Sequence, residues 1–221
     1  MRKPCGLVIC WGLWSGTAAL AAGGHHAVDD AAMLEPGQCQ LELWLEEGDD
    51  RRRLQHAGPA CRLGAVELGL NLDRSRTRGE PRLSSWGPQL KWVTALRPGL
   101  AVGAVWAATW QDRGPRLAGQ SLLLPLSWQA GESLALHLNI GRDFRRGAAD
   151  ATRRGLALEW TPLPQWQGLG EYFHDGQRGH ARLGLRYLAS DTLSWDLSRA
   201  RPRGAAGGAW WSLGISWTFE P

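Results

Sequence analysis

Few of the residues that commit a chain to catalysis or to helical membrane spans are present. In 221 residues there are four cysteines, two methionines, two tyrosines and three phenylalanines. Beyond residue 21 no stretch reaches the roughly 20 apolar residues of a membrane helix. Arg, Gln or Gly breaks each one within about ten, the length of a tilted barrel strand. No phosphate-cradling glycine loop, zinc spacing or EF-hand loop occurs, which excludes the commoner nucleotide and metal enzymes. A strong excess of one charge is also missing. Lys and Arg number 25 against 21 Asp and Glu, and Arg2 and Lys3 supply two of the four net positive charges. The basic pI is therefore no argument for nucleic acid.

What is present begins with Met1-Arg2-Lys3, an apolar stretch over 7–20 and the small-residue end Ala19-Leu20-Ala21. This pattern predicts a secretory signal peptide over 1–21 rather than an anchor, being short and glycine-rich. Cys5 and Cys10 leave with it, so only Cys39 and Cys61 remain. In a hairpin folded about Asp50 these two face each other. A disulfide is expected in an oxidising periplasm, and two unpaired buried thiols are the alternative. Residues 22–37 are polar and rich in Gly and Ala, with His25-His26 and Asp29-Asp30. They are expected to form a flexible periplasmic segment ahead of a single domain over 38–221.

That domain alternates. Leu134, Leu136, Leu138 and Ile140 are interleaved with Ala135, His137, Asn139 and Gly141, and Trp211, Leu213, Ile215, Trp217 and Phe219 with smaller or polar residues. A period of two is a strand with two unlike faces. Candidate strands fall at 38–47, 51–57, 62–72, 83–96, 99–111, 118–129, 133–143, 152–161, 165–173, 181–189, 192–199 and 209–219. Gly58-Pro59 is read as a turn. Tight turns at 97–99, 130–132, 162–164 and 190–191 alternate with longer Arg- and Gly-rich loops at 73–82, 112–117, 144–151, 174–180 and 200–208. Fourteen tryptophans, several near strand ends (Trp92, Trp110, Trp128, Trp160, Trp217), suit a lipid–headgroup boundary. A soluble sandwich also alternates. The leader, the tryptophans, the loop asymmetry and the aromatic last strand together predict an all-β transmembrane antiparallel up-and-down barrel of about 12 strands.

The chain resembles the small outer-membrane β-barrels of proteobacteria. The resemblance is carried by Asp29-Asp30-Ala31-Ala32, the run from Pro36 through Cys39 to Trp44, Gly58-Pro59-Ala60-Cys61 and the ending Ser216-Trp217-Thr218-Phe219. It is similar to the transporter type grouped with a phenol-degradation pathway. The likeness covers the mature chain as a pattern, and Glu220-Pro221 after Phe219 departs from the usual aromatic last residue. It implies the Gram-negative outer membrane, lipid and lipopolysaccharide around the barrel, and the barrel assembly machinery as a partner. It points to no particular substrate; with the charges near balance no nucleic-acid partner is expected, and with no visible nucleophile–base pair the chain is not expected to be an enzyme.

Three groups of residues are candidates for function. Cleavage after Ala22 would make His25 the third residue of a terminus able to bind Cu(II) or Ni(II), with His26 beside it; cleavage after Ala21 spoils that geometry, and no other cofactor is expected. His137 lies near Ser127 and Ser133, so an outer-membrane lipid enzyme is the third reading, but no spacing singles out a nucleophile. The predicted lumen lining holds both signs: Glu42, Glu67, Lys91, His137, Glu159, Arg182, Arg186 and Asp196. It reads either as the wall of a narrow passive channel for a small solute or ion, or as a salt-bridge network filling a non-conducting barrel that binds a partner.

Overall fold

The structure, a computed structural model, describes residues 26–204 and 207–221. Among them the alternating segments form twelve strands: β1 (Cys39–Gly48), β2 (Arg53–Leu63), β3 (Val66–Arg76), β4 (Leu83–Arg97), β5 (Leu100–Gln111), β6 (Leu117–Gln129), β7 (Leu134–Arg145), β8 (Ala151–Leu163), β9 (Trp166–His174), β10 (Gly179–Leu188), β11 (Leu193–Pro202) and β12 (Trp210–Phe219). Each pairs antiparallel with its sequence neighbour, and β1 pairs with β12 from Cys39↔Phe219 to Gly48↔Trp210. Closure leaves no edge strand, so the wall pairs its backbone within itself apart from short gaps in the ladders.

The faces are inverted relative to a soluble protein. In β7, Leu138 and Ile140 are 52% and 58% exposed on the outside, whereas His137 and Asn139 are buried inside. Outward tryptophans gather near one rim (Trp128, Trp160, Trp195, Trp217) and near the other (Trp86, Trp211). An apolar belt between aromatic rims is what a bilayer requires of a barrel.

Connections at 49–52, 77–82, 112–116, 146–150, 175–178 and 203–209 share one end, and those at 64–65, 98–99, 130–133, 164–165 and 189–192 the other. The alternation holds, with less contrast in length than the sequence suggests. Gly58-Pro59 is a correction: it lies inside β2, and the chain turns at Gly64, whose φ is +64°. The β1–β2 ladder runs through Leu41↔Pro59, while β2–β3 pairing stops at Ala57↔Leu72 and resumes at Ala60↔Gly69. Proline has no N–H to donate, so it occupies the gap in the ladder instead of ending the strand. Cys39 and Cys61 are direct partners across β1 and β2 and form a disulfide at the rim where the barrel begins.

The stretch ahead of β1 is the second correction. Residues 26–37, expected as a flexible periplasmic segment, lie in the barrel lumen from the rim to mid-depth, hydrogen-bonded to side chains of seven strands. The predicted signal peptide over 1–21 and residues 22–25 lie outside the described residues.

The orientation of the faces makes a direct prediction. Leu138→Arg, at mid-strand on the outer face, is expected to lower unfolding free energy in lipid vesicles by about 2–4 kcal/mol. A loss below about 1 kcal/mol in a denaturant titration would contradict a lipid-facing position.

Candidate functional site

From the rim inward, the lead-in is held by its backbone. It enters through a turn closed by Gln38 N–H on the Glu35 carbonyl (3.0 Å), with Gly37 at φ +85°, a left-handed conformation that glycine adopts without strain. Leu34 N–H donates to Glu67 Oε2 (3.1 Å), and the Leu34 carbonyl accepts from the Arg62 guanidinium (2.8 Å). Ala31 N–H donates to Ser127 Oγ (2.7 Å). Asn139 reads Asp29 from both sides, its Oδ1 accepting the N–H and its Nδ2 donating to the carbonyl, each at 2.7 Å. Val28 N–H donates to Glu171 Oε1 (2.9 Å). These are the backbone groups that a strand would pair with another strand. Here wall side chains replace the ladder, so the segment lies in the lumen without regular secondary structure.

Charge is matched across the same contact. Lys91 Nζ lies 2.9 Å from Asp29 Oδ1 and 3.0 Å from Asp30 Oδ1. Apart from Lys3 it is the only lysine in an arginine-rich chain. A compact ammonium with three donors can serve two separate carboxylates, where a planar guanidinium fork favours one. Deeper in, His26 presents its ring nitrogens to Glu171 (3.7 Å) and Asp196 (3.5 Å). Arg186 bonds Asp196 (2.8 Å), and Arg182 bonds Glu171 (3.2 Å) with Glu46 at 3.6 Å.

The apolar part is small and local. Val28 is 1% exposed, clustered with Ala157, Phe173, Ala200 and Trp210. Small residues on the inner face of β8 make the room: a Cβ at Gly155 would come within 2.5 Å of Val28 Cγ2. Beside the lead-in a cavity of about 240 Å³ remains, bordered by Glu42, Asn71, Gln89 and Lys91.

The lumen residues named from sequence fall as follows. Glu67 and Lys91 hold the lead-in directly. Arg182, Arg186 and Asp196 belong to the deeper network around His26. Glu159 accepts from Gln167 (3.0 Å), and Glu42 accepts from Gln40. His137 lies 2.7 Å from Ser127 Oγ and 3.6 Å from Glu159. Ser127 and His137 are register partners across β6 and β7, a spacing that sequence reading did not single out. The geometry does not make this trio a nucleophile. Ser127 Oγ already accepts the Ala31 N–H, the lead-in covers it, and Glu159 is beyond hydrogen-bond distance from the imidazole.

His25 lies outside the described residues. Among the described residues no group of three or more His, Cys, Asp or Glu is arranged to hold a metal. Glu171 was missed. The signal lay in the shared parity of Gln167, Leu169, Glu171 and Phe173, hidden because Leu169 and Phe173 make the inward face apolar while Gly168 and Gly170 interrupt the outward one between Trp166 and Tyr172.

A family model described as uncharacterised conserved protein UCP029691 matches residues 9–219. No curated protein matches the sequence. Among solved structures the barrel is similar to the KdgM porin (10% identity, 81% of this chain and 99% of that one, TM-score 0.67). It is similar to the NanC porin (9%, 80% and 98%, TM-score 0.67). It also matches the COG4313 outer membrane channel from Pseudomonas putida F1 (12%, 86% and 98%, TM-score 0.61). The chain thus has the fold of small outer-membrane channels, and identities this low carry the fold alone.

Lys91→Met keeps the length of the side chain and removes its charge, leaving Asp29 and Asp30 without their cation. Unpairing a buried ion costs about 3–5 kcal/mol. Amide hydrogen exchange at Val28, Asp29, Ala31 and Leu34 is expected to accelerate roughly a hundredfold or more, while the strands keep their protection. Unchanged exchange at these four amides would contradict the clamp.

Proposed function

This chain belongs to the uncharacterised conserved protein UCP029691 family, and we propose that it is an outer-membrane channel for small polar solutes or ions, closed in this state by its own residues 26–37. The observation that carries the reading is the lead-in itself. It follows the lumen axis through polar contacts with wall side chains and makes no ladder pairing with any strand, so its withdrawal opens a polar path without breaking the barrel. The wall that remains, with Lys91, Arg182 and Arg186 set against Glu67, Glu159, Glu171 and Asp196, is a mixed-charge lining of the kind that tunes ion and solute preference. The outward apolar belt and the fold shared with small outer-membrane channels support a place in the outer membrane of a Gram-negative bacterium, reached through a cleaved leader over 1–21. The lumen contacts give no support to a lipid-cleaving enzyme.

A second reading is favoured by the same occupancy. Because the lead-in lies in the lumen and bonds to wall side chains on several sides, a barrel that stays shut and acts as a binding protein is the alternative. The two separate in planar bilayers. The wild-type protein is expected to be mostly closed, and the full chain carrying Asp29→Lys and Asp30→Lys, which sets like charges against Lys91, is expected to conduct steadily. Further substitution of Arg186→Glu is expected to shift ion preference toward cations. A barrel that stays silent with both lysines in place would contradict the channel reading and leave the non-conducting one.

A further inference from the structure

We propose that the lumen is a peptide-binding site, and that once residues 26–37 are withdrawn its wall takes an extended acidic peptide supplied from outside the chain. The inference rests on the preceding reading in one respect only, that the lead-in can leave.

The wall recognises a polypeptide backbone. Glu171, Asn139, Ser127 and Glu67 accept the backbone N–H groups of Val28, Asp29, Ala31 and Leu34. Asn139 and Arg62 donate to the carbonyls of Asp29 and Leu34. Six contacts therefore address the peptide backbone, which any extended peptide carries and a sugar or a simple ion lacks. Main-chain hydrogen bonds give affinity in peptide recognition, and pockets for particular side chains give selection.

Selection comes from two places. Lys91 takes two adjacent carboxylates at 2.9 and 3.0 Å. The recess between Gly155, Ala157 and Phe173 takes one branched apolar side chain just before them, filled now by Val28. The preferred ligand is accordingly an apolar residue followed by two acidic ones and then small residues, in extended form. With the lead-in in place Asn139 and Glu171 are 2% and 5% exposed, and their buried polar groups are paired with its backbone, as buried polar groups require. A peptide restores the pattern of partners that the lead-in supplies. The lead-in is the ligand the wall is shaped around, held at high effective concentration by its attachment to β1.

The test uses the full chain with Asp29→Lys and Asp30→Lys, which weakens the attached occupant and leaves the wall intact. A fluorescent synthetic peptide with the sequence of residues 26–37 is titrated with this variant in detergent micelles and followed by anisotropy. Saturable binding is expected. A peptide with asparagine in place of both aspartates should bind at least tenfold more weakly, and adding Lys91→Met to the protein should abolish that difference. Heat-modifiable gel mobility checks that each variant is a folded barrel. Absence of saturable binding, or equal binding of the two peptides, would overturn the proposal. Because anisotropy does not depend on conduction, a variant that conducts without binding refutes the peptide site alone. One that binds without conducting refutes the channel alone.

Discussion

A lysine ammonium inside a narrow barrel must have anions within reach, and Lys91 finds two of its anions on a segment that belongs to no strand. Much of the interior follows from that requirement. Asp29 and Asp30 are drawn to β4, which fixes the lead-in at mid-lumen. Its backbone has no neighbouring strand to pair with, so Asn139, Ser127, Glu67 and Glu171 take over that task. Polar side chains in a membrane barrel lumen are expected. Here several of them are spent on one particular polypeptide.

The wall and the occupant therefore stand in different energetic classes. The wall is a closed set of ladders, and nothing in it depends on the lead-in for backbone hydrogen bonds. The occupant has only side-chain contacts, a small apolar patch around Val28 and a covalent start at β1. Local stability in proteins ranges from near zero to the global value, and segments with few buried apolar contacts lie at the low end. A segment of this kind can leave while the barrel stays folded. The rim disulfide between Cys39 and Cys61 anchors the point from which it would swing.

The barrel was legible in the sequence because its information is local. Alternation, tight turns and tryptophans near strand ends each report on a few neighbouring residues, and they give the closed antiparallel barrel of twelve strands. Gly58-Pro59 misled because a proline in a strand reads as a break, and only the register shows that its missing N–H meets a gap between β2 and β3. The lead-in was illegible for a deeper reason. A short polar stretch of Ala, Asp and His has the composition of a solvated tail, and its partners are scattered over β2, β3, β4, β6, β7, β9 and β11. No period within 26–37 encodes contacts with residues 28 to 170 positions away. Glu171 escaped notice for a related cause, since the glycines of β9 hide which face is inward.

Channel closure and peptide recognition both require the lead-in to be inside the barrel in the membrane, and proximity can be measured there. Ala31→Cys with Ser127→Cys replaces a pair whose backbone nitrogen and hydroxyl lie 2.7 Å apart. In isolated outer membranes under mild oxidation, the account predicts an intramolecular cross-link between positions 31 and 127, found by mass spectrometry of the unreduced digest. If no cross-link forms, and the cysteine at 31 reacts with a membrane-impermeant maleimide as fast as a free thiol in solution, the lead-in is not in the lumen and the account fails.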